Sequence, residues 1–370
     1  MCRDIICLPF ILLYRYTVHL CLCCFQHNPE ELQLCELRNN NGGWWRDQRR
    51  QSVSVRDSFY IFMTHKLENK LVPKHLVKFL RRLSKLMTNN GQIPWKIQSS
   101  WFGEEVPIYV SHRKAVRVID ANMQFIIMTW WLYETDPEIV HELYLHCLRA
   151  WQWLDVSIVN EAIHEPIDAS WETSRKHKGR LLLSNVLAIQ TIRSMELLSM
   201  TEQDKRRQSR FIKMHERWLS VWIPEIYKTQ ETLPRILAVY FGIVQRSFVK
   251  SFNQAIQSVW IPCRVDGPIQ LEITSHAWIH GYADQHNTVI WPWIGFLWIL
   301  ILKKRGSHDI ADSWWTSYME FHNIPHLYDM YSQETGKPVI RAFLKAQPNH
   351  ALTMVLHAYV SKKYRVCSEY

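Results

Sequence analysis

Glycine is scarce in this sequence, with only 11 glycines among 370 residues, whereas globular proteins average about 7%. Turn-rich β architectures and loops that hold phosphate groups on backbone N–H groups both depend on glycine. The glycine patterns of dinucleotide-binding folds, P-loops and α/β-hydrolases do not occur either. We therefore expect helices as the main elements and no organic cofactor.

The cysteine pattern provides neither a disulfide framework nor a zinc site. Six of the nine cysteines lie in the first 35 residues, and the other three are scattered. Cys21 and Cys24 are spaced CxxC, but no second pair of ligands follows them at the usual zinc-site spacing. We therefore expect no metal ion, and free thiols typical of a reducing cytoplasm.

No apolar run is long enough to cross a bilayer, which takes about 20 residues. The segment 5–13 follows Arg3 and faintly resembles a signal peptide, but no small-residue cleavage site follows it. An N-terminal helix is expected there, with a signal or anchor as the alternative, and no membrane as a partner. We keep 1–44 apart as a poorly assigned N-terminal segment and predict one domain over 45–370.

The net charge is +10, but the basic residues form only short clusters, interrupted by acids or placed at helix ends, where cations complement the helix dipole. The clusters are Arg46, Arg49 and Arg50; Lys205, Arg206, Arg207 and Arg210; and Lys303, Lys304 and Arg305. A solvated basic surface is therefore predicted, without nucleic acid as a partner.

Aromatic residues are abundant, at 13% of the chain with 18 tryptophans. An aromatic ring offers a flat apolar face, which suits the apolar C–H face of a sugar ring. Most tryptophans in any protein fill the core. A tryptophan that contacts a ligand can therefore be recognised only from its position in the fold.

From about residue 68, two kinds of helical segment alternate. One kind is amphipathic: apolar residues recur at helical spacing within 76–87 after Pro73, and again after Asp136-Pro137. The other kind, at 123–133 and 293–302, is apolar nearly all round and must be surrounded by protein. Further helices are predicted at 181–200, from the capping signal 201–204 to about 222, and at 237–248, 309–321 and 352–362.

Buried helices that alternate with amphipathic ones predict a double layer of helices. A helical solenoid would show the same alternation, but the sequence has no fixed repeat period. A double-layered helical toroid is therefore favoured.

Polar loops between these helices carry an ordered set of residues. They are Arg56-Asp57-Ser58-Phe59; Gly91-Gln92-Ile93-Pro94-Trp95; Val118-Ile119-Asp120-Ala121-Asn122; Ser170-Trp171-Glu172; Asp284-Gln285-His286-Asn287 before Trp291-Pro292-Trp293; and Tyr328-Asp329 before Glu334-Thr335-Gly336-Lys337-Pro338. From about residue 45 to the C-terminus, this set resembles the glycogen-debranching enzyme family of the amylo-α-1,6-glucosidase type. The resemblance implies an all-α fold, the (α/α)6 toroid of six-hairpin glycosidases.

The resemblance also implies a site at which loop residues from successive inner helices surround the sugar. Those that would line the glucose-binding end are Arg56, Asp57, Asp120, Trp171, His286, Asn287 and Trp291. Glycoside hydrolysis needs a carboxylic acid to protonate the leaving oxygen and a carboxylate to activate water or attack carbon. The family is expected to invert, with these two carboxyls roughly 6.5–9.5 Å apart.

The general acid of the family falls at Thr173, whose hydroxyl cannot protonate a glycosidic oxygen as a carboxylic acid would. Glu172 and Asp168 are the nearby carboxyls that could stand in. The expected base is Asp329, one methylene shorter than the glutamate of the family, with Glu334 as an alternative.

Three hypotheses for function follow. The leading one is a debranching-type α-1,6-glucosidase with an α-glucan or oligosaccharide as substrate, located in the cytoplasm. The alternative is a non-catalytic glucan-binding toroid that has lost the general acid at Thr173. The third is a helical scaffold that binds nucleic acid or other partners through its basic faces. None of them predicts a particular oligomeric state.

Overall fold

The computed structural model describes most of the chain beyond residue 51. The described residues are 52–69, 73–99, 105–110, 118–133, 135–165, 179–229, 231–245, 247–258, 289–318, 328, 330–332, 337–338, 340–341, 344–345 and 351–365. The segment 1–44 therefore lies outside them. The described part is mostly helical, as the sequence predicts.

Eleven helices are described. They are α1 (Val55–Leu67), α2 (Pro73–Lys85), α3 (Asp120–Trp131), α4 (Pro137–Asp155), α5 (Leu182–Thr201), α6 (Lys205–Lys228), α7 (Thr232–Phe241), α8 (Ser247–Ser258), α9 (Pro292–Lys304), α10 (His308–Tyr318) and α11 (Ala351–Arg365). The strands are β1 (Ser52–Ser54), β2 (Lys96–Ser99), β3 (Glu105–Ile108), β4 (Val289–Ile290), β5 (Tyr331–Ser332), β6 (Ile340–Arg341) and β7 (Leu344–Lys345).

The predicted alternation of buried and amphipathic helices is confirmed. In α3 every residue except Trp130 is buried, and in α9 the whole stretch 292–302 is buried. The 24-residue α6, in contrast, buries only Phe211, Trp218, Trp222 and Ile226, which lie on one stripe. The odd-numbered helices are therefore the inner layer, and the even-numbered helices are the outer layer.

The inner helices contact one another in a closed cycle, which we call the ring. Each contacts the next in chain order, from α1 through α3, α5, α7 and α9 to α11, and α11 also contacts α1. The outer helices pack against them: α2 on α3, α4 on α3 and α5, α6 on α5 and α7, α8 on α7, and α10 on α9. The core lies between the two layers and inside the ring.

Side-chain contacts at matching helix ends show that neighbouring inner helices run parallel. Arg56 at the start of α1 contacts Asp120 at the start of α3. Arg305, which follows α9, donates to the carbonyl oxygens of Val239 and Tyr240 in the last turn of α7, at 2.6 and 3.1 Å. The ring therefore has an amino end, where the inner helices begin, and a carboxyl end, where they finish.

The connections at the two ends differ in length. At the amino end, each connection leads from an outer helix to the next inner helix. These connections are 86–119, 156–181, 229–231, 259–291 and 319–350. All of them except 229–231 are long. At the carboxyl end the connections between successive helices take three to five residues, as in 202–204 and 132–136. Long connections between rigid elements are common carriers of binding residues, so the amino end is the candidate functional face.

Two buried asparagines anchor the amino end in equivalent ways. Asn122, in the first turn of α3, accepts a hydrogen bond from the Ile93 N–H (2.9 Å) and donates to the carbonyls of Gly91 (2.8 Å) and Ala150 (3.1 Å). Asn185, in the first turn of α5, accepts from the Ile163 N–H (2.8 Å). Each amide thus satisfies the backbone of the connection that precedes its own helix.

Several predicted boundaries were wrong. The predicted helix over 237–248 crosses a break, because α7 ends where Gly242 takes a left-handed conformation with φ of 71°, and α8 begins at Ser247. The signal at 201–204 does not open a helix at Thr201, which is the last residue of α5; Asp204 caps α6 instead. Glycine is the residue that reaches positive φ without strain, and it ends helices for that reason.

The small antiparallel sheet at the amino end was not predicted. β2 lies in the centre and pairs with β1 and with β3, with Ile97 opposite Val53 and Pro107. β1 leads directly into α1, so the sheet fixes the point at which the first inner helix begins. None of the described helices is both long and apolar enough to cross a membrane.

Candidate functional site

An ion pair between Arg56 and Asp120 lies at the amino end of the ring. Arg56 Nε and Nη2 approach the same Asp120 oxygen, Oδ2, at 2.8 and 2.7 Å. Only 14% of the Arg56 side chain and 5% of the Asp120 side chain are exposed. No described residue donates a hydrogen bond to the second oxygen, Oδ1. The pair therefore presents a fixed carboxylate oxygen that can accept a ligand hydroxyl.

The first turns of α1 and α3 hold this pair in place. The Ser54 hydroxyl oxygen caps α1 by accepting a hydrogen bond from the Asp57 N–H (3.3 Å), which sets Arg56 and Asp57 in the first turn. Asp120 is the first residue of α3, where the positive end of the helix dipole stabilises a carboxylate. Arg56 and Asp120 are 64 positions apart in the sequence, and the fold brings them into contact.

Tyr60 belongs to this cluster, although it was not predicted. Its ring is 2% exposed and packs against Trp293, with 4.9 Å between the ring centroids. Burial raises the pKa of the Tyr60 phenol; Arg56 lowers this pKa, and Asp120 and Asp57 raise it further. The hydroxyl therefore stays protonated at neutral pH. The available signal was its position four residues after Arg56, which puts both on one face of α1.

Trp291 lies at the start of α9 as its N-cap residue and is partly exposed. The strand β4 directly precedes it and pairs with β5, with Val289 opposite Ser332 and Ile290 opposite Tyr331. Tyr331 is fully buried. This pairing fixes the chain around β5 beside the start of α9, which also contacts α1 through Trp293.

The other predicted site residues lie outside the described residues. They are Asp168, Trp171, Glu172, Thr173, His286, Asn287, Asp329 and Glu334. In the sequence they belong to the long connections 156–181, 259–291 and 319–350. Their roles stay predictions, whereas Arg56, Asp57, Asp120 and Trp291 all lie in the first turns or caps of inner helices.

A second buried carboxylate, Glu165, was also not predicted. It is 4% exposed and accepts a hydrogen bond from the Ser184 hydroxyl in the first turn of α5. Its backbone pairs with Gly179 through two hydrogen bonds of 2.8 Å. These contacts tie the connection 156–181 to the start of α5.

Metal ligation has no support in the described part of the chain, where no group of three or more His, Cys, Asp and Glu side chains could hold an ion. Cys147 is fully buried, and burial raises the pKa of its thiol to about 12. A neutral buried thiol is unreactive. Cys147 fills the core, as its position on the apolar stripe of α4 predicts.

Solved structures share this fold at low sequence identity. The chain is similar to the GH63 mannosylglycerate hydrolase from Thermus thermophilus in complex with glucose, with a TM-score of 0.61 and 10% identity, over 91% of this chain and 100% of that chain. It is also similar to a rhamnosidase from Klebsiella oxytoca with rhamnose bound, with a TM-score of 0.59 and 10% identity, over 90% of this chain and 63% of that chain.

The sequence itself matches no protein-family model and no curated protein. Similarity at 10% identity shows a shared fold, and a fold hosts many functions. The chain therefore adopts the fold of these glycoside hydrolases and forms a buried Arg56–Asp120 pair at the amino end of its inner ring.

Proposed function

We propose that this protein is a glycoside hydrolase of the debranching type, built as an (α/α)6 toroid, which acts on α-linked glucans in the cytoplasm. The observation that carries the proposal is the buried Arg56–Asp120 pair at the amino end of the ring, in which Asp120 Oδ1 accepts no hydrogen bond from a described residue. The shared fold with a hydrolase solved with glucose and a rhamnosidase solved with rhamnose supports a sugar substrate.

In this proposal the amino end recognises a glucose unit through complementary groups. Asp120 Oδ1 accepts a hydrogen bond from a sugar hydroxyl, and Arg56 holds the carboxylate in position. The partly exposed ring of Trp291 covers the apolar C–H face of the sugar. Trp171, His286 and Asn287 complete the site from the long connections.

Hydrolysis then requires two carboxyls. Asp329 takes the proton of the attacking water, and Glu172 or Asp168 gives a proton to the leaving glycosidic oxygen. Attack by water from the face opposite the leaving group inverts the anomeric carbon. An α-linked substrate therefore releases β-glucose.

The test of this function is to incubate the purified protein with glycogen, a branched limit dextrin and maltooligosaccharides. Released glucose and its anomer are followed over time by NMR. Release of β-glucose is the expected result. Release of α-glucose would contradict the inverting mechanism, and the absence of any release would remove hydrolysis from the proposal.

Asp329→Asn should fold normally and lose hydrolysis. The amide cannot take a proton from water, and a general base contributes about 10²–10⁴-fold to rate. We expect kcat to fall by about 100-fold or more with KM little changed. Glu334→Gln is the matched control and should keep most of the activity. Unchanged hydrolysis in Asp329→Asn would remove this residue from the mechanism.

One observation favours a second function, a glucan-binding protein without turnover: a threonine, Thr173, stands where the family carries its general acid. If this loss has inactivated the site, the wild type binds sugar without hydrolysis, and Thr173→Asp restores β-glucose release. The control is Thr173→Asn, because the asparagine side chain has nearly the size of aspartate but no acidic proton. Hydrolysis by the wild type at the same rate as Thr173→Asp would reject this alternative.

A further inference from the structure

A cavity of about 210 Å³ opens at the carboxyl end of the ring, opposite the candidate site. We call it the carboxyl-end cavity. The described residues that line it are Lys66, Trp130, Trp131, Gln190, Tyr240 and Phe241. They come from α1, α3, α5 and α7.

The cavity lies on the axis of the ring. Around the ring, α1 and α7 are joined on one side through α3 and α5, and on the other side through α9, which contacts both of them. A space lined by both of them, and by the two helices between them, must lie inside the ring. Lys66 is ten residues after Arg56 on α1, or about 15 Å along the helix axis. The intervening residues 58–65 are all buried, so the cavity is separate from the candidate site.

Four of the six lining residues are aromatic and are held by neighbouring rings. Trp130 stacks on Tyr133 with 4.9 Å between centroids, and Trp131 stacks on Phe59 at 5.1 Å. Tyr240 and Phe241 meet edge to face at 5.1 Å. Rings fixed in this way offer preformed apolar faces to a ligand.

The charges around the cavity select against ions. The carboxyl ends of helices carry partial negative charge and no free N–H donors, which disfavours an anion. Arg305 already occupies the carbonyls of Val239 and Tyr240, and Lys66 lies in the last turn of α1. The Arg305 guanidinium at this end of α7 repels an organic cation. A neutral ligand fits best.

The polar groups of the cavity suit hydroxyls. Gln190 Nε2 makes only a long hydrogen bond of 3.4 Å to Ser194, and no described residue donates to its Oε1. This amide can therefore accept a hydrogen bond from one hydroxyl and donate a hydrogen bond to another. Apolar ring faces together with an amide group suit a sugar ring.

We propose that the carboxyl-end cavity is a second carbohydrate-binding site, which takes one neutral sugar ring and does not take part in hydrolysis. Its volume of about 210 Å³ is below the roughly 300–1,000 Å³ of pockets for larger ligands. The site therefore holds a single ring, such as glucose or one end of a glucan chain.

The test uses calorimetric titration of the full-length protein with glucose and maltose. The wild type should bind two sugars per chain. Gln190→Leu and Trp130→Leu should weaken one of these sites by about tenfold and should leave hydrolysis of long glucans unchanged. The double variant Arg56→Met/Asp120→Leu, which removes the amino-end site, should keep the carboxyl-end site. Circular dichroism and thermal unfolding confirm that each variant is folded.

A single sugar site that the Arg56→Met/Asp120→Leu variant abolishes would overturn the proposal, as would sugar binding that neither Gln190→Leu nor Trp130→Leu alters. Binding of tetramethylammonium or inorganic phosphate that is lost in Gln190→Leu, without a matching loss of sugar binding, would also overturn it. Because the double variant reports the carboxyl-end site alone, failure of hydrolysis at the amino end leaves this test intact.

Discussion

Asp120→Asn should unfold at a much lower urea concentration than the wild type and should neither bind nor hydrolyse α-glucans at the amino end. The change removes the negative charge of Asp120 from its ion pair with the buried Arg56 guanidinium, and breaking one side of a buried ion pair costs about 3–5 kcal/mol. The amide keeps a single acceptor oxygen, which stays with Arg56, so the ligand-facing atom becomes an NH₂ donor that cannot accept a hydrogen bond from a sugar hydroxyl. Equilibrium unfolding in urea measures the first effect, and glucose release measures the second.

The control is Glu142→Gln, which breaks a comparable pair on the outer layer. Arg81 Nε approaches both Glu142 oxygens at 3.0 Å, but these side chains are 50% and 46% exposed. Water replaces the lost contact there, so the cost should be about 0–1 kcal/mol. A similar loss of stability in both variants would contradict a role for burial.

The double variant Arg56→Met/Asp120→Leu separates stability from function. Replacing both members of a buried ion pair by apolar residues is often neutral or stabilising, so the free energy of unfolding should return close to that of the wild type. Sugar binding at the amino end should stay absent, because no acceptor replaces the carboxylate. Recovery of both properties together would mean that the pair is structural only.

Gly91→Ala should destabilise the protein by about 4 kcal/mol or more, at the extreme of single substitutions. Gly91 has a φ of +94°, and a Cβ built on it would lie 2.2 Å from the carbonyl oxygen of Arg149 and 2.7 Å from its carbon. Both are backbone atoms of α4, so neither can rotate away. The connection 86–119 would have to move away from α4 and from Asn122, which donates to the Gly91 carbonyl (2.8 Å).

Gly179 supplies a matched control with the same backbone conformation. Its φ is also +94°, but apart from its chain neighbours no described residue has an atom within 4 Å of the position of an added Cβ. Gly179→Ala should therefore show the cost of positive φ alone, roughly 1–2 kcal/mol. The difference in the free energy of unfolding between the two variants measures the clash with α4. Equal losses would show that the close approach at Gly91 is not limiting.

The motif that contains Gly91 has contacts that differ from those that its resemblance implies. The segment 91–95 was singled out as part of the set that implies a sugar site, yet Gly91 and Ile93 bind the Asn122 side chain and Gln92 donates to the Tyr109 carbonyl (2.8 Å). These contacts hold the loop that leads into α3. A sequence motif identifies residues under constraint, and the contacts decide whether the constraint is packing or ligand binding.

Local patterns in the sequence determined the helical character and the two layers. Because α3 and α9 are apolar all round, the sequence predicts that they are buried on every side. The apolar stripe of α4, which follows Asp136-Pro137, predicts one buried face. Each of these apolar patterns extends over a few helical turns, so it can be recognised from neighbouring residues in the sequence. The break at Gly242 was missed because apolar residues continue on both sides of it.

Only the tertiary structure decided which residues meet. The closure of α11 on α1, the contact between Arg56 and Asp120, and the cavity shared by α1 and α7 all join positions far apart in the chain. A sequence pattern fixes the face on which a side chain lies, within one helix. The distance between two such faces depends on how the helices pack around the ring, which is a property of the whole core.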